Sequence, residues 1–397
     1  MRAFLTRLAA IHRVCFPRGL QATRSIVIIW SVSILSQYFN RPAVAFLAAL
    51  FPAIVALPGC GSLSGTGPAA VGTPVPSDRF PLPPEGNDIV GRVQVAIARD
   101  NDTLSEIARR YDLGYEEILA ANPDVSPWQP GEGTQVILPT AFILPGGTRE
   151  GLVLNLASMR LFYYPKAEDG RVKEVITHPV GIGREGWNTP QGLTRITQKT
   201  ANPQWTVPAS VRKEHADKGD PLPAVVPPGP DNPLGQYAMR LSLPSYLIHG
   251  TNKPWGVGMR VSHGCIRLYP EDIARLFPEV PVGTPVRIIN EPYLTGWRDG
   301  QLYLEAHTPL AEDTRHSDGN LETLDKLLAT QTADRPSALD GVRAEQVARQ
   351  AYGLPMPVSG VGVGLEMLVA MAPRVPSTPP WVLEDYAVEE LRQLPTY

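Results

Sequence analysis

Residues 248–268 of this 397-residue chain read Ile-His-Gly-Thr-Asn-Lys-Pro-Trp-Gly-Val-Gly-Met-Arg-Val-Ser-His-Gly-Cys-Ile-Arg-Leu, which puts one cysteine and two histidines into a short run. A thiol is the strongest side-chain nucleophile near neutral pH once its proton is managed, and an imidazole within hydrogen-bond reach manages it. His249 and His263 are the two candidates, the second only two residues before Cys265. In an extended chain residues two apart share a side, so the spacing predicts that His263 lies beside the thiol. Gly264 admits a close backbone approach or a positive φ, useful where amide N–H groups must face a developing oxyanion. Gly256 and Gly258 make the intervening loop pliable, with Asn252 and Trp255 as candidate substrate contacts. The plainer alternative stays open on these residues alone: a cysteine between Gly and Ile also suits a small buried hydrophobe.

The elements that must carry this run are strands. Residues 151–156 and 161–164 read as a hairpin, 172–180 alternates, and 193–200, 246–249 and 285–289 continue the pattern, while 270–277 is the one convincing helix. The fold class expected is mainly β, a sandwich or open barrel with one short helix. Residues 203–235 are too proline-rich for a core element and too long for a casual loop, which predicts a lid beside the cleft. His215 within it and His178 on its strand read as surface residues outside the chemistry.

Ahead of these strands, residues 91–140 give a strand, two short helices started and stopped by Asp102-Thr103, Gly114 and Asn122-Pro123, and a second strand. Residues 61–90, rich in Gly, Pro, Ser and Thr, read as a tether. Residues 1–60 carry six arginines, no acidic residue and two apolar runs, the features of an export leader. The leader ends Leu57-Pro58-Gly59-Cys60, which resembles a lipoprotein lipobox and implies a lipid on Cys60; a cleaved signal or retained anchor is the alternative. Every reading places the remainder outside the inner membrane, in the periplasm or cell envelope, and a lipid or a retained anchor would tether it to the membrane. Residues 291–397 form a C-terminal extension whose order the sequence leaves open, with a strand near 300–306 and helical turns near 337–352 and 387–394.

Composition limits the rest. The formal net charge of −3 gives no electrostatic case for nucleic acid. Forty-two prolines favour strands, turns and linkers over long helices. Cys15 and Cys60 belong to the leader, so Cys265 has no partner for a disulfide, and no CxxC pair is present to hold zinc.

Two resemblances sharpen these expectations. DTLSEIARRY, ILAANP and PGEGTQVILP resemble a LysM domain, a family that binds N-acetylglucosamine-containing glycans. The HGT…SHGC-x-R string closely resembles the YkuD-type L,D-transpeptidases, among them the periplasmic ErfK/YbiS-like enzymes that pair LysM with this domain. That likeness implies Cys265 as nucleophile, His249 as base, the Gly250 carbonyl orienting the imidazole, and His263 as a supporting group. It also implies Ser262, Gly264 and Arg267 near the substrate, and no metal or organic cofactor. The implied reaction is acyl transfer from a peptidoglycan stem peptide, through a thioester, to an amine of a second stem peptide or of an outer-membrane lipoprotein lysine. Water as acceptor would make a carboxypeptidase or hydrolase. A wall-binding lipoprotein with a dead site is the non-enzymatic alternative.

Overall fold

The computed structural model describes residues 72–380 and residue 382, so the leader, Cys60 and the expected helical turn at 387–394 lie outside the described residues. The protein is mainly β. Its centre is one mixed sheet of nine strands, an open half-barrel. The order runs Arg79–Pro81, Glu174–Pro179, Arg160–Tyr164, Gly151–Asn155, Pro285–Ile289, Gly192–Ala201, Tyr237–Leu241, Leu247–His249 and Ile266–Arg267. Two pairings are parallel: Pro285–Ile289 beside Gly151–Asn155, and Ile266–Arg267 beside Leu247–His249.

Strand alternation divides this sheet between two cores. Leu152, Leu154, Leu161, Tyr163 and Ile176 enter the first, with Ile248, Ile266 and the helix Pro270–Glu279. Their neighbours Val153, Phe162, Tyr164 and Val175 enter the second, against Leu104, Ile107, Ile118 and Leu138 of the preceding strand–helix–helix–strand unit. Because both faces are covered, Gly151–Asn155 and Arg160–Tyr164 are buried at every position.

That unit consists of Gln94–Ile97, helices Leu104–Arg110 and Tyr115–Ala121, and Gln135–Leu138. Thr103 and Glu106 form a reciprocal capping box at the first helix. Its small sheet gains a third strand from far along the chain, Arg374–Pro376, parallel to Gln94–Ile97.

Three expectations change. Residues 79–81, read as tether, form the edge strand of the main sheet with Phe80 buried; an edge position tolerates Pro81. The C-terminal extension folds through residue 376: Tyr293–Arg298, Gln301–Ala306 and Met356–Pro357 make an antiparallel sheet. Helices Glu322–Asp334 and Gly341–Gln350 cover it around Trp297, Leu302, Leu304, Leu324 and Val347. Finally, the proline-rich segment 203–235 holds a second helix, Ala209–Asp217, inside a short ribbon of Trp205–Thr206 and Val225–Val226. Pro208 caps its start, where the missing N–H costs nothing.

Candidate active site

The parallel pairing of the two last strands builds the site. Ile248 stands opposite Ile266 and His249 opposite Arg267, so Cys265, the residue before Ile266, arrives next to Leu247 at the sheet edge. The thiol is half-buried, and its Sγ donates to the Ser245 carbonyl at 3.7 Å. Ser245 holds that carbonyl from a left-handed backbone, φ 71°. Burial pushes the thiol above its ordinary value, opposed by the Leu247 amide and the positive charges of Arg267 and Arg240.

His249 is buried, and its Nδ1 donates to the Gly250 carbonyl at 2.5 Å, which leaves Nε2 as the basic nitrogen. Burial, then the nearby Arg267 cation, pulls the imidazole down to about 3, against the Gly250 and Leu234 backbone contacts. A Cβ at Gly250 would lie a tight 3.0 Å from Ile273 Cγ2, so a side chain there would press on the helix beneath.

The turn before the cysteine is locked by two hydroxyls. Ser262 Oγ donates to the Cys265 carbonyl at 2.6 Å and accepts from the Gly264 N–H at 3.1 Å. Thr189 Oγ1 donates to the Gly264 carbonyl at 2.9 Å and accepts from the Gly183 N–H. Gly264 has φ +99°, and a Cβ there would meet Tyr246 Cε1 at 2.8 Å.

That positive φ interrupts the extended run on which the placement of His263 beside the thiol depended. The His263 ring faces the lid helix instead, with Nε2 at 3.1 Å from both Glu214 Oε2 and Arg184 Nη2, and its edge against Trp187. Glu214 also accepts from Lys218 and Arg184, and Lys218, ahead of the others, holds its carboxyl near 2. The lid is pinned at its base by Asn232, whose amide donates to the Pro203 and Pro227 carbonyls. Its end, Gly235, packs directly on Gly250 and Thr251.

Arg267 is partly buried, with Nε lacking any partner and no carboxylate paired to it among the described residues. Asn252 donates to the Pro230 carbonyl at 3.2 Å, while its Oδ1 is buried and unpartnered. Trp255 is 64% exposed. The loop carrying it is held from the other side, where the Tyr115 and Glu116 amides donate to the Val257 and Gly258 carbonyls at 3.3 and 3.1 Å. The site thus brings together a thiol, a neutral imidazole, an unpaired guanidinium and one unspent amide oxygen, that of Asn252. Thr189, Tyr246, Ser245 and Glu214 are site residues that the sequence did not single out, although Glu214 falls in the segment expected as a lid and Tyr246 in an expected strand.

His178, expected at the surface, is buried where the N-terminal unit meets the sheet. The same seam holds Arg160, also buried, whose guanidinium bonds both Glu117 carboxylate oxygens at 2.7 and 2.9 Å and the Asp112 carbonyl at 2.8 Å.

Comparison with known proteins gives a match of residues 149–288 to the L,D-transpeptidase catalytic domain YkuD, and of residues 98–137 to the LysM domain. The Escherichia coli K12 protein named "Probable L,D-transpeptidase YbiS" is 40% identical over 70% of this chain and 90% of its own length. "Probable L,D-transpeptidase ErfK/SrfK" of Salmonella typhimurium is 40% identical over 72% of this chain and 93% of its own. "Probable L,D-transpeptidase YcfS" of E. coli K12 is 42% identical over 61% and 77% respectively.

Proposed function

The chain belongs to the L,D-transpeptidase family, and on that premise we propose that Cys265 is the nucleophile and His249 the base of a peptidoglycan acyl transfer. The observation that carries this is the register of the last two strands, which sets His249 opposite Arg267 with the thiol two residues further back, beside Leu247.

In the first half-reaction the Cys265 sulfur attacks the carbonyl of the third stem-peptide residue while its proton passes to His249 Nε2. The C–N bond then breaks, the terminal D-alanine leaves with that proton, and a thioester remains. In the second half an amine attacks the thioester, His249 takes the amine proton, and the thiol returns. Gly264 N–H is already committed to Ser262 Oγ, so the Cys265 amide is the oxyanion donor of that pair. The Leu247 amide, which faces the sulfur, stabilises the departing thiolate. Arg267 and Asn252, with unspent polar atoms, hold the polar ends of the stem peptide, and Trp255 covers it. His263 acts at one remove, by tying the lid helix through Glu214.

The acceptor is the amine of a second stem peptide or of a lipoprotein lysine, the LysM unit holds the glycan, and the leader delivers the chain to the envelope with a lipid on Cys60. Among the described residues no helix is long and apolar enough to cross a membrane. The test is mass spectrometry of the protein incubated with disaccharide-tetrapeptide, wild type beside Cys265→Ala. Loss of D-alanine with a dimeric product, absent from the variant, is the expected result. D-alanine loss without dimers even when amine is added would make water the acceptor, and no thioester on Cys265 would end the proposal.

A further inference from the structure

We propose that Asp112, His178 and Asp272 form a structural site for one divalent cation of the zinc class, buried in the seam between the LysM unit and the catalytic sheet. The three residues are far apart in sequence and come from three elements. Asp112 follows the first LysM helix in a left-handed turn, φ 52°. His178 lies on the strand Glu174–Pro179, and Asp272 sits in the first turn of the helix Pro270–Glu279. One donor atom from each lies within 4.8 Å of the others, with His178 Nδ1 at 3.1 Å from Asp112 Oδ2 and 3.7 Å from Asp272 Oδ1. Those edges suit an ion bonded to nitrogen and oxygen at about 2.0–2.2 Å.

Burial makes the arrangement costly without a cation. Asp112, His178 and Asp272 are 8%, 1% and 1% exposed, and Asp112 Oδ1 and Asp272 Oδ2 have no donor. Two carboxylates side by side away from water repel each other, and burial pushes both well above the ordinary range. The neighbouring charges do not neutralise them. Arg275 is shared between Asp272 at 2.9 Å and Asp78 at 3.6 Å, while Arg160 is taken by Glu117. With all three ionised, Asp112, Asp272 and Asp78 against the Arg275 guanidinium leave two negative charges, the amount one divalent ion cancels. One imidazole and two carboxylates, with water in the fourth place, is a donor set that zinc accepts.

The site would staple the LysM unit to the sheet and to the helix whose Ile273 underlies Gly250. It stands apart from the thiol chemistry, and its loss is read first in stability. The full chain carrying Cys265→Ser, so that no thiol competes, is measured for metal by plasma mass spectrometry, then stripped with chelator and titrated with zinc during thermal unfolding. One zinc per chain is expected, with an unfolding temperature raised by roughly 5 °C at a hundredfold excess over the dissociation constant. Asp112→Asn and His178→Gln should each remove both effects. A wild-type site that neither retains metal nor shifts its unfolding temperature with zinc or manganese overturns the proposal. So does an Asp112→Asn chain that unfolds at a higher temperature than its parent at pH 8, since that marks a proton shared by the two carboxyls.

Discussion

The charge state of the resting thiol and imidazole is open to a direct test. In many thiol enzymes an imidazolium–thiolate pair exists before substrate binds, and alkylation of the sulfur is then fast even in weak acid. Here burial and Arg267 hold His249 to about 3, and burial lifts Cys265 above the ordinary 9.0. Moving the proton from sulfur to nitrogen across that gap costs on the order of 8 kcal/mol, less the attraction between the two charges it creates. The pair is therefore neutral, with less than about 1% thiolate at pH 7. Arg267 affects the two members oppositely, favouring a thiolate and penalising an imidazolium, so it cannot create the pair. The assay is the rate of single iodoacetamide alkylation of Cys265, followed by intact mass between pH 5 and 9. The rate should rise about tenfold per pH unit up to at least pH 8.5, with no inflection near 6.5. A plateau reaching down to pH 6 would refute the reasoning and reinstate the ion pair.

The same buried imidazole links stability to acid. His249 is neutral when folded down to about 3 but takes a proton in the unfolded chain below about 6.5, so stability is complete above 6.5 and is lost as pH falls toward 3. The loss reaches roughly 4–5 kcal/mol, and His249→Gln should flatten the fall in unfolding temperature measured between pH 7 and 4. Ser262→Ala removes the acceptor of the Gly264 N–H and the donor to the Cys265 carbonyl. Acylation by tetrapeptide should slow by roughly 10–100-fold, and the stranded Gly264 N–H should cost about 1–3 kcal/mol of stability, read as a lowered unfolding temperature. Glu117→Ala strands the buried Arg160 guanidinium and should cost about 3–5 kcal/mol in denaturant unfolding. Gly258→Ala adds a Cβ that overlaps Gly114 in a backbone with φ +74°. It should cost roughly 2–5 kcal/mol and raise amide exchange at Val257–Gly258 together with Tyr115–Glu116.

The candidate site was legible because it is nearly contiguous. His249, Ser262, Gly264, Cys265 and Arg267 fall within 21 residues of sequence, and the strands that carry them alternate clearly enough to be read. What the sequence could not show was set by pairings between distant segments. Thr189 supports Gly264 across 75 positions and Glu214 reaches His263 across 49. Asp112 and His178 meet across 66. His263 itself was misplaced because a two-residue side rule holds only for extended chain, and Gly264 at φ +99° breaks it. The C-terminal extension hid for a different reason. Its strand Arg374–Pro376 is three residues long and flanked by prolines, yet Val375 is fully buried once that strand lies beside Gln94–Ile97.

Those distant pairings change what the LysM unit is to the catalytic sheet. A module on a flexible tether would leave the outer face of Arg160–Tyr164 exposed, and Phe162 and Tyr164 would be solvated. Instead that face is the floor of the LysM core, and the LysM sheet is completed by a strand from the far end of the chain. The loop from Gly250 to Gly264 is consequently supported on two sides. The LysM helix Tyr115–Ala121 holds Val257 and Gly258 by backbone bonds, while the lid holds Gly250, Thr251 and His263 through Gly235 and Glu214. The backbone bonds on the LysM side fix the middle of the loop more tightly than the side-chain pair on the lid side fixes His263, because they carry no rotamer freedom. The segment between His249 and Cys265 is therefore joined to the LysM helix by backbone bonds with no hinge between them, and it carries the exposed Trp255 at its start.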